Sequence, residues 1–381
     1  MKHFLYILIA ATLCLSVSCD NNIDFDEVPY DSELAITWNV VSPSVEKPKY
    51  VSRAMIENDN QLQLACSEGG RAIGVWSAHE IDGVVTKNIL GNDNGDVALI
   101  YQAQTSWDNY AGWTYGENAA LWELGAAYTF NAYFPMNVVS EIVTSDLSTF
   151  VLEHNTEIYQ EDLMVAYSYI DTDLPTFKLG VPVTLNMLHT LSALRFQFSF
   201  IDSDGTTYDD SDALTAFWLE NTAYDAGIAT TGMLAFGTYD DEGVMDGEHI
   251  HWYYEDYPEP STSLQPRRIY PWEDANGIPF ASTATQRTIA SAYTTDADGM
   301  QKYAHNDGYI MVIPQATDGS TMLCFSLQST GNLVHRIPLP ANTFEAGKRY
   351  TYDIRFGRTE STVLLSIAEW NELKSSQDIP L

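Results

Sequence analysis

Along most of the chain, apolar and polar positions alternate with a period of two, the spacing of a strand that buries one face. The longest such stretch runs from Val181 to Phe200. Val181, Val183, Leu185, Met187 and Leu191 share one face; further on, Leu194, Phe196, Phe198 and Phe200 alternate with Arg195, Gln197 and Ser199. A parity change near Ser192 and Ala193 predicts a β-bulge or a break into two strands. Near the start, Leu34, Ile36, Trp38 and Val40 form one face of a first strand. Between Gln61 and Tyr167, runs at Leu62–Cys66, Ala72–Trp76, Val97–Tyr101 and Tyr128–Phe134 are separated by Gly, Asn and Asp turns, the rhythm of a β-sandwich. Ala213–Asn221 predicts a short helix or helix-like turn with Trp218 inward, and Val244–Thr283 predicts long loops with short edge strands. Strand patterns return at Tyr309–Pro314, Met322–Leu327 and Val334–Leu339. They close with Tyr350, Tyr352, Ile354 and Phe356, a turn at Gly357–Ser361, then Val363, Leu365 and Ile367. The expectation is an all-β protein with little helix, divided near Pro175 and Gly180 into domains 19–180 and 181–381.

The first residues change the picture. Lys2 and His3 precede an apolar run from Phe4 to Leu15, then Ser16, Val17, Ser18 and Cys19. This is the plan of a secretory signal over residues 1–18, too short to span a membrane. Ending on Cys19, it resembles a bacterial lipoprotein signal, in which that cysteine is acylated and tied to a membrane. It departs from that pattern at Ser16, where Leu is usual, with Leu15 one place early. The acidic stretch to Ser32 reads as a tether. A net charge of −34 argues against nucleic acid, because few Lys or Arg are present to neutralise phosphates. Hydrophobic content of 45% is ample for a packed core. Cys66 and Cys324 are expected as separately buried free thiols.

Little in the sequence carries chemistry. His249 and His251 with Glu248 supply two imidazoles on one strand face, short of a third ligand for a metal. Asp202, Asp204 and Gly205, and Asp296, Asp298 and Gly299, are fragments of calcium-loop patterns that turn chemistry explains. His189 is expected in the core, with no acid nearby in sequence to orient it. No G-x-S-x-G, phosphate-binding loop or H-E-x-x-H motif is present. The expectation is a protein without catalysis, cofactor or metal. Trp122, Tyr128, Tyr350 and Trp370 occupy strand positions. Trp107, Trp113, Trp252 and Trp272 are loop candidates for stacking on sugar rings, which makes a surface glycan-binding lipoprotein the alternative function.

Leu185, Met187, His189, Leu191, Ser192, Leu194, Phe196 and Phe198 spell a mid-chain motif. It is flanked, in order, by Ser52-Arg53-Ala54, by Trp122 with Tyr128 to Pro135, by Ala346 to Tyr352, and by Ala368 to Asn371. Together these resemble the Bacteroidales fimbrillin family, the type V pilins and their relatives. The resemblance implies two tandem transthyretin-like β-sandwich domains with long loops. It implies a stalk, tip or anchor subunit of a cell-surface fimbria, exported through the periplasm as a lipoprotein to the outer membrane. Its partners would be other fimbrial subunits, in a homo- or hetero-polymer, with a host or bacterial surface ligand for an adhesive member. Family pilins are trimmed after an arginine, and Arg53 followed by Ala54 stands where that motif sits. Cutting there would remove residues 19–53 with Leu34, Ile36, Trp38 and Val40, opening a groove for another subunit's strand. The candidate donor is Thr362–Leu381, with Val363, Leu365, Ile367, Ile379 and Leu381.

Overall fold

The computed structural model describes residues 34–43, 56, 58–67, 71–90, 96–102, 112–115, 120–138, 141–145, 150–156, 159–200, 214–221, 227–236, 250–254, 268–269, 293–295, 301–303, 309–327, 333–356 and 361–369. In chain order the strands are β1 (Trp38–Val41), β2 (Ile73–Ile81), β3 (Val84–Lys87), β4 (Asp96–Gln102), β5 (Gly112–Thr114), β6 (Ala127–Phe134), β7 (Glu141–Ser145), β8 (Phe150–Asn155) and β9 (Met164–Asp171). They continue as β10 (Val183–Asn186), β11 (Leu188–His189), β12 (Ser192–Phe200), β13 (Leu214–Asn221), β14 (Thr231–Phe236), β15 (His251–Tyr254), β16 (Arg268–Ile269), β17 (Tyr293–Thr295) and β18 (Gln301–Tyr303). The last are β19 (Tyr309–Val312), β20 (Ala316–Thr317), β21 (Thr321–Leu327), β22 (Val334–Pro338), β23 (Asn342–Thr343), β24 (Lys348–Phe356) and β25 (Ser361–Glu369). Among the described residues one α-helix, α1 (Asp59–Ser67), accompanies them. The chain is all-β, as the alternation predicts.

A sheet ordered β11-β9-β6-β2-β4-β5, with β3 also on β2, organises the first half. Its strand β6 is buried on both faces. Tyr128, Phe130, Ala132 and Phe134 enter a first core with β1, β10 and α1, while Tyr133 enters a second core with Leu152, Leu234 and Met311. The central stretch breaks into three pieces rather than two. β10 pairs in parallel with β1, β11 pairs with β9, and β12 lies between β24 and the strands β18 and β19. The parity change is the chain moving from the first core, with Val183, Leu185 and Met187, to the second, with Leu188, Leu191 and Ala193. Strands from both sides of residue 180 share sheets, because β8 also pairs with β14 in the order β15-β14-β8-β7.

Two expected elements are corrected. Leu62–Cys66 is helix, not strand: the Asn58 side chain accepts the Gln61 N–H at 3.0 Å as a helix cap, and Leu62 and Cys66, one turn apart, point inward while Leu64 is 49% exposed. Ala213–Asn221 is not helical but contains strand β13, which pairs with β21 so that Trp218 faces Cys324. Trp218 does face inward. For the helix a local cap decides the state, and for β13 a partner absent from local sequence does.

Candidate functional site

β1 lies in a slot. Its backbone bonds to β10 on one edge: the N–H groups of Val183 and Met187 donate to Thr37 O and Val41 O, each at 2.8 Å. Just before β1 the other edge is held too, with Ile36 N–H donating to Ala120 O and Trp122 N–H to Leu34 O, each at 2.8 Å. Thr37 and Asn39 face outward while Ile36, Trp38 and Val40 are buried and Leu34 is half-buried. The Trp38 indole wedges edge-on between Tyr115 and Phe130, at centroid separations of 5.8 and 5.2 Å. Burying three such side chains contributes about 1.5–3 kcal/mol each. The pattern needs alternation and bulk, which many strand sequences satisfy.

The slot's two ends differ. At the inner end Asp59, in the first turn of α1, accepts both the Ser42 N–H (2.6 Å) and the Ser42 hydroxyl (3.0 Å). Nearby, Asp162 holds two segments: Oδ2 accepts the Ile56 N–H and Oδ1 the Nδ1 of His189, each at 2.9 Å and fully buried. This end abuts the second half of the chain. Gln160 exchanges hydrogen bonds with the Met311 backbone, the Trp252 indole N–H donates to Thr190 O at 2.8 Å, and the Ser192 hydroxyl donates to Glu345 O at 2.7 Å. At the outer end, where Ala35 bridges Leu121, two turns are tied by the Thr172 hydroxyl and Ala126, and by Trp122 edge-on to Phe177 at 5.3 Å.

The structure places the expected residues as follows. Leu34, Ile36, Trp38 and Val40 line the slot. Val363, Leu365 and Ile367 lie in β25, which pairs with β24 and ends its sheet among the described residues. Cys19, Arg53, Ala54, Ile379 and Leu381 lie outside the described residues, as do Trp107, Trp272, His249 and the Asp202 and Asp296 fragments. Trp113 stands edge-on to Tyr101 and packs against the first core, whereas Trp252 is tied to Thr190 and packs against the second. Among the described residues no group of three His, Cys, Asp or Glu gathers as for a metal ion, and no helix is long and apolar enough to cross a membrane. Cys66 and Cys324 are buried, and neither is in a disulfide. His189 is in the core, but an acid does orient it: Asp162, 27 residues away, invisible to local pattern.

Residues 52–370 match the model of a family described as fimbrillin-like. No curated protein matches the sequence. Among solved structures, a fimbrial protein from Bacteroides vulgatus shares 13% identity over 88% of this chain and 99% of its own, with a TM-score of 0.50, which supports the fold. A fimbrial assembly protein from Parabacteroides distasonis aligns at 10% identity, over 88% and 99% of the two chains, with a TM-score of 0.38. The tip fimbrial protein Mfa3 of Porphyromonas gingivalis, solved with a C-terminal truncation, aligns at 11% identity, over 79% and 95%, with a TM-score of 0.31.

Proposed function

We propose, from the premise that this chain belongs to the fimbrillin-like family, that it is a non-catalytic fimbrial subunit that assembles with other subunits at the cell surface by exchanging β1. The observation that carries this reading is the slot: a strand buried on one side-chain face and hydrogen-bonded to β10 and to residues 120–122. Residues 19–180 supply the acceptor sheet and the entering strand, with β10 beyond residue 180 pairing that strand, and residues 181–381 supply the donor segment. Cleavage after Arg53 releases β1 and leaves an apolar groove with unpaired backbone, which Val363, Leu365, Ile367, Ile379 and Leu381 of Thr362–Leu381 from another subunit refill by β-augmentation. Cys19, acylated, holds the precursor at the outer membrane.

The test treats purified protein with an arginine-specific protease and follows its size. Cleavage at Arg53 followed by assembly that is lost when the chain is truncated at Thr362 is the expected result. Cleavage with no assembly in either protein refutes strand exchange. For the anchor, Cys19→Ala should move the protein out of the membrane fraction; a variant that matures and sediments with the membrane like wild type refutes lipidation.

A further inference from the structure

Exposed aliphatic side chains gather at one end of the first sheet. The register brings the ends of its strands together there. Ala127, at the start of β6, lies opposite Glu80 of β2 and Asp171 of β9, and Ile81 of β2 lies opposite Val84 of β3. Three turns therefore stand side by side. Val84 is 66% exposed on the β2–β3 hairpin, and Leu124 is 62% exposed, beside exposed Leu121, on the turn before β6. Val181 is 55% exposed, with Leu174 and Leu179 also exposed, between β9 and β10. Elsewhere such side chains stand singly, as Leu64 does on α1, Ile100 on β4 and Leu333 before β22. Two of the turns are held to each other: the Thr172 hydroxyl accepts the Ala126 N–H and donates to Ala126 O, each at 2.9 Å, and Phe177 packs on Trp122. A contiguous aliphatic patch on ordered turns, rimmed by polar residues, is a surface built to meet something.

We propose that in the uncleaved chain this end face lies on the lipid surface that carries the Cys19 anchor. Its aliphatic turns enter a neutral headgroup region, and the slot's inner end and the second half of the chain point away from the membrane. The inference rests on the anchoring reading of Cys19 above, is independent of strand exchange, and adds which surface of the folded body the membrane meets. The place where the chain enters the fold carries the argument. Leu34 O accepts the Trp122 N–H and Ala35 bridges Leu121, so β1 begins at this same end. Cys19 precedes Leu34 by only 15 residues, which span at most about 50 Å. An acyl group on Cys19 therefore keeps this end of the body close to the lipid and raises its effective concentration there. The acyl chains provide retention; what the end face adds is orientation.

Charge selects among the occupants. The three turns and the strand ends beside them carry Glu80, Asp82, Glu123, Asp171 and Asp173 against Lys87 and Lys178, so the rim is acidic. A second copy would bring a net charge of −34 to it. The chain's own residues 20–33 would bring Asp20, Asp24, Asp26, Glu27, Asp31 and Glu33 with no Lys or Arg. Both are repelled. A zwitterionic lipid surface carries no net charge, and its affinity for a protein face grows with the apolar area buried.

The experiment uses residues 20–381 with an N-terminal hexahistidine tag in place of the acyl group, held on phosphatidylcholine vesicles by a nickel-chelating lipid. It thus does not depend on whether Cys19 is acylated. A fluorophore is attached at Leu124→Cys or, as controls, at Leu64→Cys or Leu333→Cys, and brominated lipid is the quencher. Quenching at position 124 should exceed that at either control by about threefold or more. With Val84→Asp, Leu174→Asp and Val181→Asp added, it should fall to the control level although the tag still holds the protein. Equal quenching at the three positions overturns the end-on contact, and this comparison decides the matter even where the triple variant fails to fold. Quenching at position 124 that survives in a folded triple variant shows that attachment alone brings this end near, and overturns docking by the aliphatic face. Replacing about a third of the lipid by phosphatidylglycerol should weaken the quenching, because the rim is acidic; stronger quenching overturns the neutral surface as the occupant. Without vesicles, a probe at position 124 shielded from iodide in a dimer assigns the face to a second copy. One shielded in residues 20–381 but open in residues 34–381 assigns it to the chain's own segment. Either result overturns the lipid surface. Quenching as expected here, beside a Cys19→Ala variant that sediments like wild type, overturns the anchoring reading alone.

Discussion

A Cβ placed on Gly74 would run into the phenol ring of Tyr133, whose hydroxyl bonds to the buried Asp96 carboxylate. Gly74→Ala must therefore displace a packed ring and break its hydrogen bond, so a loss of about 2–3 kcal/mol is expected in urea unfolding. Burial pushes the Cys66 thiol up to about 12 from 9.0, against the opposing charge of Arg71. The thiol thus stays protonated in the folded protein at neutral pH and should react with a thiol reagent at pH 8 only as fast as its surroundings unfold. The sign for stability follows: the unfolded thiol ionises above about pH 9 while the folded one does not, so stability falls as pH rises from about 9 to 12. Tyr115, Tyr128 and Tyr352, all raised first by burial, add to the alkaline loss in the same direction. Asp162→Ala leaves the Ile56 N–H and the His189 ring without their hydrogen-bond acceptor, and should cost about 1–3 kcal/mol for each in the same unfolding assay. Nothing in the sequence near either partner announces Asp162. The slot's apolar residues, by contrast, are legible because alternation is a local property, and Ile36, Trp38 and Val40 are buried as that alternation requires.

At the scale of elements, legibility follows the range of the forces involved. The alternation of β6, β10, β12 and β24 is written in consecutive residues, so their type is plain before any partner is known. Helix α1 has too few apolar positions for its period to stand out: Leu62 and Leu64 imitate a strand, and the cap at Asn58 decides otherwise. β13 owes its extended form to β21, about a hundred residues away, which no window of sequence contains. For β1 the decisive element-level feature is its inner end. Asp59→Ala removes the acceptor of two Ser42 hydrogen bonds, so that end should fray first. Amide exchange should then speed up several-fold at Met187, whose N–H bonds to Val41 O, and less at Val183, whose N–H bonds to Thr37 O farther from the break. Equal acceleration at both amides would mean that the strand leaves as a unit rather than from that end.

The molecule as a whole is stitched by pairings that cross residue 180. β8 pairs with β14, β10 with β1, and Gln160 with the Met311 backbone. Calorimetry should therefore show one cooperative transition, with calorimetric and van't Hoff enthalpies equal, and two resolved transitions would contradict this account. The same layout sets the response to tension. A force applied at Leu34 and directed out of the slot's outer end acts along β1, across the bonds to Val183 and Met187. These bonds are loaded in shear and resist together, whereas a force perpendicular to the strand would peel them one after another. Survival under a pull depends on the height of the unfolding barrier rather than on the equilibrium stability. A strand held along its own axis is thus slow to be dragged out by a tug and quick to be lifted by a sideways pull, so direction, more than strength, decides which load it survives.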